Sequence, residues 1–126
     1  MTVPIRWGDM DARAHVNNAQ YMRYFEEARV AWSQARGLRQ DDQAGFIVAK
    51  ATVDYHAALT WPGNVISQVY AARVGNKSFT LRQTLTAEAA ASPAATAEFV
   101  VVWFDYAAGV SAALPAPLRA ILEGRA

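Results

Sequence analysis

Two carboxylates, an imidazole and a pair of amides crowd into one short stretch near the start of this 126-residue chain: Asp9, Asp11, His15, Asn17 and Asn18. A carboxylate can attack an acyl carbonyl or activate a water that does so. The free N–H groups at the start of a helix, with their partial positive charge, can hold the oxyanion that forms. The parts for acyl transfer are therefore adjacent. The same residues also serve purely as caps, the acids closing turns and the asparagines opening a helix, and composition and spacing leave both readings open. His15 beside an acid suggests a general base, or a hydrogen bond that orders the loop. Asp9, Asp11 and His15 lack a fourth ligand, so no metal is expected. No G-x-S-x-G elbow and no phosphate-cradling glycine loop is present.

These residues need elements to hold them. Val3, Ile5 and Trp7 alternate with Pro4, Arg6 and Gly8, which predicts a short first strand. From Asn17 the period changes: Tyr21, Phe25, Ala28, Trp32 and Ala35 recur at three- and four-residue steps, predicting a helix over 18–36 with one apolar stripe. Asn17 is its N-cap, Gln20 the reciprocal partner of a capping box, and Gly37 the left-handed residue that ends it. Phe25 and Trp32 are expected to face the core. Strands are predicted at 46–55, 65–74, 78–87 and 97–106, joined by turns at Pro62-Gly63-Asn64, Gly75-Asn76 and Ser92-Pro93, as an antiparallel meander. The apolar run Phe99 to Phe104 predicts a strand covered on both faces, and His56 is expected to be a satisfied packing residue. Pro115 and Pro117 open a last helix over 118–123. One strand, one long helix and a meander make an α+β layer architecture, the hotdog fold, in which a curved antiparallel sheet wraps one central helix and a short C-terminal helix follows.

Length and an apolar fraction of 53% allow one real core, so residues 1–126 are expected to form a single domain. Twelve basic residues against eleven acidic ones, with neither sign in a run, give no footprint for nucleic acid or anionic lipid. The absence of cysteine excludes disulfides, thiolate metal sites and a cysteine nucleophile. No stretch has the character of a signal peptide or a membrane span, so a cytoplasmic protein is expected.

The stretch from Arg6 through Asp9-Met10-Asp11 and His15-Val16-Asn17-Asn18 to Tyr21, continuing to Tyr24, Glu26 and Ala28-Arg29, resembles the hallmark of the 4-hydroxybenzoyl-CoA and acyl-CoA thioesterase family. Tyr55, Gly63 and the turn Gly75-Asn76-Lys77-Ser78-Phe79 resemble later segments of the same pattern. Ala14 stands where a glycine is common, Ala58 where a proline is common, and Asn64 where an aspartate is common, which leaves the local loop shape to be seen.

The resemblance implies an acyl-thioester hydrolase without a cofactor. Asp11 is its catalytic carboxylate, the Asn18 backbone N–H polarises the thioester carbonyl, and His15 orders the loop or, as the second option, moves a proton. Asn17, Tyr21 and Tyr55 are expected to line the substrate, and Lys77 and Ser78 match positions that touch the CoA nucleotide. The acyl group would be carried on CoA or on acyl carrier protein. One curled sheet leaves an apolar helix face and unpaired edges, which predicts a homodimer or homotetramer. The resemblance implies that residues near 46–60 of one subunit face Asp11 of the other. Activity should fall in acid as Asp11 protonates. A hotdog hydratase or dehydratase is the first rival, kept alive by His15, and a non-enzymatic acyl-thioester sensor the second.

Overall fold

In the computed structural model, which describes residues 1–38 and 40–124, the long helix α1 spans Asn18–Ala35. Asn17 opens it as expected. Its Oδ1 accepts from the Ala19 N–H at 2.9 Å and its carbonyl from the Gln20 N–H at 2.8 Å. The reciprocal half of the capping box does not form, because the Asn17 N–H is already donated to the Asp9 carbonyl at 3.0 Å. Gly37, at φ 70°, ends the helix, with its N–H on the Gln34 carbonyl and the Leu38 N–H on that of Ser33.

The strands are β1 (Thr2–Pro4), β2 (Ala44–Tyr55), β3 (Asn64–Val74), β4 (Ser78–Ala87), β5 (Ala95–Asp105) and β6 (Val110–Ser111). The first stops short of its predicted end because Trp7–Asp9 turns into a 3₁₀ helix, leaving Trp7 exposed. The C-terminal helix α2 covers Ala116–Leu122 and starts earlier than expected, because Pro115 is its N-cap. The sheet order β1-β3-β4-β5-β2, with β6 on β5, corrects the predicted meander. β3, β4 and β5 follow one another, but β2 pairs with β5. The place beside β3 that a meander gives to β2 is taken by β1, in the antiparallel register Thr2↔Ile66, Val3↔Val65 and Pro4↔Asn64. Bonds at both ends of the β2–β5 pair, Tyr106 N–H to the Gln43 carbonyl and His56 N–H to that of Ala94, make it antiparallel too. β5 is thus an interior strand, as its apolar run suggested. Phe99 and Val101 are buried on one face, whereas Val100, Val102 and Phe104 on the other are only half-buried.

Packing gathers the described residues into two units, and α1 and strands β2 to β5 each contribute to both. The first comprises Met1–Ala31, Val53–Val69 and Gln83–Ala97. Its core is the helix stripe Tyr21, Tyr24, Phe25 and Ala28 with Leu59, Val65, Leu85, Ala95 and Ala97. Buried Gln83 fixes the helix to the sheet: its Nε2 donates to the Phe25 carbonyl at 3.0 Å, and Arg29 donates to its Oε1 at 3.2 Å. The second unit comprises Trp32–Thr52, Tyr70–Arg82 and Glu98–Ala126. Phe46 packs edge-on against Phe79 and Trp103 there, while Leu114, Leu118 and Leu122 bury the face of α2. Trp32 is half-buried under the Arg36 guanidinium, 4.4 Å from its ring centre. No described helix is long and apolar enough to cross a membrane.

Candidate active site

Residues 10–16 form a tight loop closed by a bridge between Met10 and Val16. The Asp11 N–H donates to the His15 carbonyl at 2.9 Å and the Ala14 N–H to the Asp11 carbonyl at 3.0 Å. Closing so short a loop needs one residue in the left-handed region, and Ala14 takes it at φ 61°. That is the position where the resemblance suggested a glycine, so the departure puts a Cβ where the backbone is left-handed. The exposed Asp11 carboxylate is oriented by its own turn, since Oδ1 accepts from the Arg13 N–H at 2.9 Å. His15 contributes its backbone carbonyl to this ordering. Its imidazole is exposed and bonds to none of the described residues.

The other acid has a different part. Asp9 is 3% exposed, and its Oδ2 accepts from the Tyr24 hydroxyl at 2.7 Å and the Arg6 N–H at 3.0 Å, while the Arg6 guanidinium lies 3.2 Å from Oδ1. Burial pushes its carboxyl up, but the bonds from Tyr24 and Arg6 together outweigh it and hold the group below the usual carboxylate range. Burial, followed by the bond to Asp9, pushes the Tyr24 phenol up. Asp9 is thus a buried brace that joins the loop to α1. Its backbone carbonyl makes the same join through Asn17.

At the helix start, the Ala19 and Gln20 amides are both taken by Asn17, whereas the Asn18 N–H bonds to no acceptor among the described residues. Asn18 as a residue is exposed, and its N–H lies in the first turn, where a helix leaves amides without intrahelical partners. The tyrosines surround that terminus but are committed to backbone. Tyr55 donates to the Asn18 carbonyl at 3.2 Å, and its ring meets that of Tyr21 edge-on at 5.1 Å. The buried Tyr21 hydroxyl donates to the Ala57 carbonyl at 3.1 Å and accepts from the Leu59 N–H at 3.0 Å; burial is the main cause of its raised pKa. The Leu59 carbonyl in turn receives the Val16 N–H at 2.8 Å. Tyr21 therefore ties the segment after β2 to the loop and the helix.

Asp11, His15, Asn17, Asn18, Tyr21 and Tyr55 all fall in the first unit, and Lys77 and Ser78 in the second, at the turn between β3 and β4. Lys77 is exposed. His56 is exposed rather than packed, because it lies just past the end of β2, although its Nε2 is 2.9 Å from the Thr96 hydroxyl. Among the described residues no three His, Asp or Glu side chains gather as a metal site. Sequence reasoning missed the bond between Asp9 and Tyr24 and the amide of Arg13. The first had a signal, since Tyr24 lies on the apolar stripe and a buried phenol needs a partner.

A family model described as the thioesterase-like superfamily matches residues 5–122. The PA2801 protein of Pseudomonas aeruginosa, described as a candidate thioesterase, is 33% identical over 95% of this chain and 94% of its own, with a TM-score of 0.88. A thioesterase from Thermus thermophilus, solved with coenzyme A and Zn, is 28% identical over 99% of this chain and 92% of its own, at TM-score 0.84. BH1999, a gentisyl-coenzyme A thioesterase, is similar in fold at TM-score 0.86, with 21% identity over 97% of this chain and 98% of its own. No match was found among curated proteins. The chain belongs to the thioesterase-like superfamily and has the hotdog fold of these neighbours. Thioester hydrolysis is the general activity this membership supports.

Proposed function

We propose that this chain hydrolyses an acyl-coenzyme A thioester, with Asp11 as the reacting carboxylate and the Asn18 backbone N–H as the oxyanion donor. The observation that carries the reading is the helix start: the Asn18 amide is left unbonded while Asn17 takes the next two, and Asp11 stands in the loop braced onto that terminus. The Arg13 N–H occupies Oδ1 of Asp11, which leaves Oδ2 to attack the carbonyl or to take a proton from water. In the first case an anhydride forms, thiolate leaves, and water then releases the acid. In the second, water adds directly. Either route ends in free acid and thiol. Asn17, Tyr21 and Tyr55 shape the terminus, and Lys77 and Ser78 meet the nucleotide. Coenzyme A is favoured as the carrier because the Thermus relative was solved with it.

We further propose that the active form is a homodimer joined along β2. This strand ends the sheet with β5 as its neighbour there, is 12 residues long, and exposes Ile47 and Val48 at 38% and 42%. Such an edge calls for a partner strand.

Thiol release from aromatic, short and long acyl-CoAs, alongside matched acyl carrier protein thioesters, tests the reaction class. Release from at least one acyl-CoA is expected. Turnover of an enoyl-thioester with no thiol released from any substrate would replace hydrolysis with hydration.

A further inference from the structure

The turn between β3 and β4 has all its backbone carbonyls occupied. The Ser78 carbonyl takes the Gly75 N–H at 2.7 Å, the Lys77 carbonyl the Trp103 N–H at 2.9 Å, and the Asn76 carbonyl the Leu114 N–H at 2.9 Å. Arg119, on α2, reaches back to the same place: its Nη2 donates to the Gly75 carbonyl and lies 3.4 Å from that of Asn76. Its other nitrogen, Nη1, is 3.2 Å from Oε1 of Glu123, and the side chain is 29% exposed. Among the described residues the Asn76 and Lys77 amides donate to nothing, and both residues are exposed. The turn is thus left with unbonded donors, the Lys77 ammonium and the Ser78 hydroxyl beside a fixed cation. A planar guanidinium can serve two adjacent carbonyls at once, which an ammonium does less well.

We propose that Arg119 is a positioning residue, through which the C-terminal helix holds the Gly75–Ser78 turn in the shape that receives the CoA phosphates. The proposal rests on the reading of Lys77 and Ser78 given above. Arg119 acts through the turn, so its loss should raise KM for substrates that carry the nucleotide and spare those that lack it.

The test compares an acyl-CoA with the N-acetylcysteamine thioester of the same acid, which has no nucleotide. Arg119→Met keeps the apolar stem and removes the fork. It should raise KM for acyl-CoA about tenfold, with kcat within about twofold, and leave kcat/KM for the cysteamine thioester unchanged. Arg119→Lys, which keeps a cation and the fold if the methionine variant is unstable, should recover part of the loss on acyl-CoA alone. An equal loss on both thioesters, or no change in KM for acyl-CoA in either variant, overturns the proposal. Lys77→Ala, measured beside them, separates the two layers. If it raises KM for acyl-CoA and the Arg119 variants do not, the nucleotide reading stands and Arg119 is removed from it; if it acts equally on both thioesters, the nucleotide reading itself fails.

Discussion

The Tyr24 hydroxyl and the Asp9 carboxylate meet at 2.7 Å inside the protein, joining the loop that carries Asp11 to the helix that carries Asn18. Tyr24→Phe removes the donor and leaves a buried carboxylate short of one bond, which should cost about 1–3 kcal/mol. The fold holds the Asp9 carboxyl below its ordinary 3.8, so this stabilisation is complete above that value and is lost as pH falls through the lower folded one. The gap in urea midpoint between wild type and Tyr24→Phe should therefore narrow from about pH 7 to about pH 3. An equal gap at both would remove Asp9 as its source.

Ala14 sits at φ 61°, where a Cβ costs about 1–2 kcal/mol. Ala14→Gly relieves that strain and gives back part of the gain through the freer unfolded chain. A melting temperature equal to or above wild type is expected, with kcat unchanged. Ala14→Val puts a branched side chain into the same conformation and should lower both, because the bonds between Asp11, Ala14 and His15 depend on it. A stable, fully active valine variant would contradict the strain.

Asn18 is the first residue of α1, a position where proline is tolerated because that N–H has no partner within the helix. Asn18→Pro therefore deletes the proposed oxyanion donor while sparing the fold. The expected outcome is a loss of about 10²–10³ in kcat, the scale for one oxyanion donor, with a melting temperature close to wild type. Asn18→Ala keeps the amide and should be mild by comparison. Equal activity of the proline and alanine variants would show that the amide is idle.

The long helix, its N-cap and its glycine stop were legible because they are local: periodicity, Asn17 and Gly37 act within a few residues. So was the interior place of β5, from a run with no polar face. The partner of β2 was not legible, since the choice between β3 and β5 depends on β1 having claimed β3 from the other end of the sequence. The same limit hid the site's supports. Tyr24 to Asp9 spans a sequence separation of 15 and Arg119 to Gly75 one of 44, and no spacing rule reaches that far. Residue type and spacing do not separate Asp9 from Asp11; the resemblance singles out Asp11, and burial gives Asp9 its part as the brace.

Val48, exposed on the terminal strand β2, offers a test of assembly. Val48→Glu places a charge on the proposed dimer edge without opening either core. The wild type should sediment as a dimer or larger at about micromolar concentration and the variant as a monomer with reduced activity. A wild-type protein that is fully active as a monomer would sink the proposed interface.

The most direct measurement is the turnover of Asp11→Asn on an acyl-CoA that the wild type hydrolyses. The substitution keeps size and leaves a side-chain oxygen for the Arg13 N–H, so the loop should hold and substrate should still bind. The charge is gone, and kcat should fall by at least about 10²–10³. Asp9→Asn, measured beside it, should lose stability more than turnover. Hydrolysis by folded Asp11→Asn within about tenfold of wild type would contradict the assignment of Asp11 and turn attention to the exposed imidazole of His15.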